Sequence, residues 1–267
     1  MKTIFSLIFL ATSLVAQSKL HPNVSALTTF SDQYVPLVII GDGWTQRIVL
    51  QNVDDKWSST GQITFYTDKG TPFSVNMKGI GSFSSFTFNI PQGKTLLFET
   101  VPDYNTQRLG WALIQQYTTG NSSGGDYSGI GDMFGQLIFR KSTLGLPDFM
   151  CSMVLGGQAF SKLTTFFDNT GNNYTGMGII TSAITTGSVD LQVTVRDISG
   201  IVVSQKIITQ QQKTLYWMNL GVDFPETVGR MGTFEVTPVK PYSTELTGVS
   251  LQFSGNAFTI ITPFEAL

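Results

Sequence analysis

The sequence predicts an all-β fold: two tandem antiparallel immunoglobulin-like β-sandwich domains behind an N-terminal signal peptide. Three observations carry the expectation. Apolar and polar residues alternate in short runs, turn residues punctuate those runs, and the pattern of the first half returns in the second. Val189, Leu191, Val193 and Val195 alternate with Asp190, Gln192, Thr194 and Arg196, the period of two that a half-buried strand requires. Ile63 and Phe65, then Phe86, Phe88 and Ile90, then Val249, Leu251 and Phe253 do the same. Asp68-Lys-Gly70, Pro91-Gln-Gly93, Asp168-Asn-Thr-Gly171 and Asp197-Ile-Ser-Gly200 supply the turns. No amphipathic helical stretch exceeds about two turns, and strand signals at roughly 8–12-residue spacing mark a sandwich or barrel.

Taken in chain order, the first element is the signal peptide. Lys2 supplies a positive charge, Ile4 to Val15 is apolar but for small hydroxyl residues, and Ala16 or Gln17 closes a cleavage region. The apolar run is too short to span a bilayer. The expected layout is residues 1–17 as signal peptide, 18–146 as the first domain and 147–267 as the second. The boundary falls near Leu144-Gly-Leu-Pro-Asp148. The expected location is secreted: extracellular, or periplasmic or cell-surface in a Gram-negative bacterium. Asn23, Asn121 and Asn173 head Asn-x-Ser/Thr triplets, which would carry sugar only in a eukaryotic secretory pathway.

Several short matches pair the two halves. Gln92-Gly-Lys-Thr-Leu96 answers Gln211-Gln-Lys-Thr-Leu215, Gly70 answers Gly200, Gly110 answers Gly232, and Gly135 answers Gly248. The spacing between matches is longer in the first half, which predicts two extended loops there, around 76–85 and 118–134.

Composition narrows the function classes. Charged residues make up 13% of the chain and the net charge is −2, so nothing attracts a polyanion and nucleic acid is not an expected partner. Aromatic residues at 12%, with 20 Phe, supply large cores. Cys151, the single cysteine, precludes an intrachain disulfide, and its apolar neighbours Met150 and Met153 mark it as a small core residue.

Catalytic patterns fail on context. Gly93-Lys-Thr95 resembles the end of a phosphate-binding loop, but Phe88 stands where the first Gly belongs and a strand, not a helix, follows. Gly120-Asn-Ser122-Ser-Gly124 matches a nucleophile elbow in letters only. The single histidine, His21, lies beside the signal peptide and upstream of that Ser. One imidazole also removes most transition-metal chemistry. Calcium, which takes oxygen ligands alone, leaves Asp126 and Asp132 in a Gly-rich loop and the adjacent pair Asp54–Asp55. No cofactor is expected, and no enzyme.

Aromatic residues in loops are the better lead, because sugar rings stack their apolar C–H surface on flat aromatic faces. Trp44 follows Gly41-Asp-Gly43, Trp57 sits in a polar loop, and Tyr104, Tyr117 and Tyr127 lie in or beside loops. Trp111 and Trp217 read as core residues.

Gly41-Asp-Gly-Trp44-Thr-Gln-Arg-Ile-Val-Leu-Gln-Asn52 resembles a recurrent module of uncharacterised secreted bacterial proteins. Thr175-Gly-Met-Gly-Ile-Ile-Thr181 resembles the opening of that module's second half, without its terminal Asn. The resemblance implies paired immunoglobulin-like sandwiches on an exported protein and implies no activity. The expected function is therefore a non-enzymatic structural, adhesion or recognition module, its partner an extracellular protein or a polysaccharide. The alternative is a carbohydrate-binding protein using loop aromatics.

Overall fold

The computed structural model describes residues 31–117, 132–143, 145–155, 160–181, 187–240, 245–255 and 257–263. The expected signal peptide, Asn23, Asn121, Asp126 and Tyr127 lie outside these residues, as does most of the 118–134 loop. The first half contains β1 (Ser31–Ile40), β2 (Trp44–Asn52), β3 (Ser59–Thr67), β4 (Val75–Met77), β5 (Gly81–Phe83), β6 (Ser85–Ile90), β7 (Thr95–Glu99), β8 (Arg108–Tyr117), β9 (Met133–Lys141) and β10 (Phe149–Leu155). The second contains β11 (Leu163–Asp168), β12 (Asn173–Thr181), β13 (Ser188–Asp197), β14 (Val202–Gln211), β15 (Leu215–Asn219), the one-turn helix α1 (Leu220–Asp223), β16 (Met231–Pro238), β17 (Leu246–Ser254) and β18 (Ala257–Ile261). The fold is all-β, and every strand pairing is antiparallel.

The same strand order occurs twice. The first half forms sheets β1-β8-β3-β6 and β10-β9-β2-β7, and the second forms β11-β16-β13-β14 and β18-β17-β12-β15. Corresponding residues share register as well as order. Gly110 lies opposite Thr67 on β3, and Gly232 lies opposite Asp197 on β13. A Cβ added to Gly110 would overlap the Tyr66 carbonyl, and one on Gly232 would overlap the Arg196 carbonyl. Only glycine lets the backbones approach this closely, in both halves. The extra loop expected at 76–85 holds the β4–β5 hairpin, for which the second half has no counterpart among the described residues.

Two expectations need adjustment. β10 was expected beyond the domain boundary, but it pairs along its whole length with β9, from Phe149↔Lys141 to Leu155↔Gly135. The sheets of the first half therefore run to Leu155. The strand order also departs from the immunoglobulin pattern, in which the first strand lies beside the second, and the sixth and seventh share a sheet. Here the first strand pairs with the sixth standard strand (β1 with β8) and the seventh with the second (β9 with β2). Alternation locates strands but does not name their partners.

The two sheets of the second half enclose one core, with Phe167, Met177, Ile179, Val193, Phe234 and Leu246 within it. The other core does not stop at the first half. It runs through Leu50, Phe65, Ile114 and Phe139 and continues into Ile180, Leu215, Val249, Leu251 and Phe258 of the second half. Those five lie on the face of sheet β18-β17-β12-β15 that points away from its own core. That face is covered by β1, β10 and Trp44 of the first half. β1 accordingly lacks alternation: Gln33 to Ile40 are all buried, as in strands covered on both faces. A register shift between Val35 and Val38 accommodates Pro36 at this sheet edge. Gln46 fixes that shift, donating from Nε2 to the Leu37 carbonyl at 3.0 Å and accepting the Ile39 N–H on Oε1 at 2.9 Å.

Candidate functional site

The aromatic residues singled out from the sequence do not form one surface. Trp44 is 5% exposed, its ring centroid 4.7 Å from that of Phe258. It belongs to the seam between the halves, not to a solvent-facing loop. Trp57 is 40% exposed in the loop beyond Asn52, at the opposite end of the nine-residue strand β2, which separates the ends by roughly 27 Å. Tyr104 is 73% exposed near Gly43, and Tyr117 ends β8 opposite Thr60. Among the described members there is no coplanar strip.

The Trp57 loop is built on its own hydrogen bonds. Asp54 Oδ1 accepts the N–H groups of Lys56 and Trp57, and these hold its carboxyl below the ordinary carboxylate range. Buried Asn52 donates from Nδ2 to the carbonyls of Trp57 at 2.7 Å and Ile90 at 3.0 Å, and its Oδ1 accepts the Asp54 N–H. Asp54 thus acts as a turn former. Among the described residues no three Asp, Glu, His or Cys side chains converge, and Asp132 is exposed. Burial pushes the Cys151 thiol up to about 12, which makes it an inert thiol at neutral pH.

An aromatic cleft of about 330 Å³ lies at the seam. Trp44, Tyr174, Trp217, Phe253 and Phe258 supply its rings, while Asp42, Gln107, Lys141 and Thr143 supply its polar edge. The second half forms the floor. Tyr174 and Phe253 lie opposite each other on β12 and β17 and stack at 4.5 Å with 8° between their planes. Trp217 lies across Gly176 and Gly178, its nearest ring atom 3.2 Å from where a Cβ on Gly178 would sit. Thr175-Gly-Met-Gly178 is therefore a bed for an indole: its glycines admit the ring, while Met177 points into the core.

The first half forms the wall. Lys141 Nζ donates to the carboxylate and backbone carbonyl of Asp42 and stands 5.3 Å from the centre of the Trp44 ring, so the cation is both paired and set over a π face. Tyr174 remains 41% exposed, and its partial burial raises the phenol above its ordinary value. A second hollow, about 580 Å³, separates the Asp68–Lys69 turn from Thr209 to Tyr216 and is walled mainly by Gln and Thr. There the halves are tied by the Leu215 N–H donating to the Asp68 carbonyl at 2.8 Å.

Sequence reasoning missed Tyr174, Phe253 and the exposure of Trp217. The available signal was Gly176 and Gly178 alternating along an otherwise apolar strand, a mark of close approach by another group. Comparison with known proteins adds no relative: no protein family, no curated protein and no solved structure matches the chain.

Proposed function

We propose that the chain is an exported, non-enzymatic protein of two tandem β-sandwiches, acting as a rigid recognition or structural module at or outside the cell surface. Its layering is immunoglobulin-like, with a strand order of its own. The observation that carries this reading is the seam. One apolar core crosses from the first half into the second, and a large hydrophobic contact of that kind opposes relative motion of domains. Further support comes from ionisable side chains held in surface pairs, such as Arg47–Glu99 and Arg140–Asp148. Export rests on Lys2, the apolar run Ile4 to Val15 and the small residues that follow. No described helix is long and apolar enough to cross a membrane.

The test is expression of the whole chain with its own leader, followed by fractionation and N-terminal sequencing. The reading expects the protein outside the cytoplasm with its N-terminus at Gln17 or Ser18. Retention inside the cell with Met1 intact would overturn it. The second reading, carbohydrate recognition, is favoured by one observation, the aromatic cleft, and not by Trp57, which stands alone among the described aromatics.

A further inference from the structure

We propose that the seam cleft binds a neutral carbohydrate, with one sugar ring of a glycan chain lying on the indole of Trp217 beside the stacked pair Tyr174 and Phe253. The inference rests on reading the chain as an exported recognition module, and it places the recognition site where the two halves meet.

The seam is closed around this spot. Trp44, Leu251 and Phe258 are buried within it, whereas Tyr174, Trp217 and Phe253 keep part of their rings open to the cleft. Aromatic surface of this size is ordinarily removed from water when a neighbouring domain lies within reach. Here the packing instead leaves a hollow at the lower end of the size range of small-molecule sites.

The shape of the open rings suits a flat, apolar face. Tyr174 and Phe253 stack on each other across the strands and wall the cleft, while the indole of Trp217, laid over the two glycines beneath it, offers the flat face. Sugars combine such a face, made of C–H groups, with a rim of hydroxyls. The cleft answers with rings below and with Gln107, Thr143, Asp42 and Lys141 at its edge. Gln107 and Thr143 are exposed there, and each offers hydrogen-bonding atoms to a hydroxyl.

Charge selects within the class. Lys141 is paired with Asp42, so the cleft presents no uncompensated cation to a uronate or sulfate. A cationic ligand held over the rings would meet Lys141. A neutral hexose or pentose polymer avoids both penalties.

The experiment titrates the mature whole chain with cellohexaose, xylohexaose and mannohexaose, and with hexagalacturonate and a glucosamine hexamer as charged counterparts. Tryptophan fluorescence and calorimetry are the readouts. The expected result is saturable binding of at least one neutral oligosaccharide, with a Kd between roughly 10 µM and 1 mM. Binding should weaken tenfold or more in Tyr174→Ala and in Gln107→Ala and stay unchanged in Trp57→Ala. Gln107 lies at the exposed rim, so its variant keeps the test decisive if Tyr174→Ala fails to fold. The inference is overturned if no neutral oligosaccharide binds at about 10 mM or if binding survives both cleft variants. It is equally overturned if a charged oligosaccharide binds more tightly, or if 2-naphthol displaces the sugar while binding far more strongly. Any of these results leaves the exported-module reading standing, since that reading fails only on the leader test.

Discussion

The outer faces of sheets β10-β9-β2-β7 and β18-β17-β12-β15 share a register and differ in chemistry. Thr45, Arg140 and Met150 align across the first sheet as Tyr174, Phe253 and Phe258 align across the second. Val49 faces Leu97 where Gly178 faces Trp217, and Arg47 faces Glu99 where Gly176 faces Asn219. Apart from buried Thr45, the first set is a solvent face, with Arg47 Nε 3.2 Å from Glu99 and Arg140 paired with Asp148. The second set is the seam and the floor of the cleft. Strand order and core glycines, common to both halves, specify the fold; the side chains that differ at matched positions specify what each face meets.

Substitutions at matched positions test that contrast, and the largest effect is expected at the seam. Phe258→Ala should cost about 3–5 kcal/mol, as removal of a buried aromatic ring does. Met150→Ala, at the corresponding exposed position, should change stability by less than about 0.5 kcal/mol. Denaturant midpoints of the two variants check the difference, and equal losses would break the comparison.

A smaller contrast is expected where β2 and β12 end. Asn52, itself buried, makes three side-chain hydrogen bonds, whereas the Thr181 hydroxyl, at the matching position, is buried without a partner among the described residues. Asn52→Ala should cost about 1–3 kcal/mol, while Thr181→Val should be neutral or stabilising. Smaller again is Arg47→Ala, since a half-exposed surface pair contributes about 1 kcal/mol at most and less in high salt.

Acid should distinguish the matched positions Asp168 and Ile39. The hydroxyl and backbone N–H of Thr170 and the amide of Asn173 hold the Asp168 carboxyl below its ordinary 3.8. Its folded-state value is the lower one, so its stabilisation is present above about pH 4 and is lost as the pH falls through the folded-state value. The first half has Ile39 at the matching position. Asp168→Asn should therefore flatten the acid limb of a plot of urea midpoint against pH, and an unchanged limb would assign it to other carboxyls.

Much of the fold was legible because each strand with one wet face writes its period into the sequence. Ile63 and Phe65, Phe86 and Phe88, and Val189 to Val195 all point their apolar members inward. The four turns read from Asp, Pro and Gly all occur between strands. One repeat match slipped by a residue: the left-handed turn position is Gly93 in the first half and Lys213 in the second. Tyr34 to Ile40 gave no alternation, because β1 is buried on both faces. Trp44 was read as exposed because Phe258, which covers it, lies at the far end of the chain. The cleft was the least legible feature, since it is assembled from both halves and its floor is announced only by Gly176 and Gly178.

The central claim is that one apolar seam makes the two halves a single body, and scanning calorimetry of the mature chain tests it most directly. The account predicts one cooperative transition with calorimetric and van't Hoff enthalpies equal, splitting into two when Trp44 and Phe258 are both replaced by alanine. Two separate transitions in the unaltered protein, unmoved by those replacements, would contradict it.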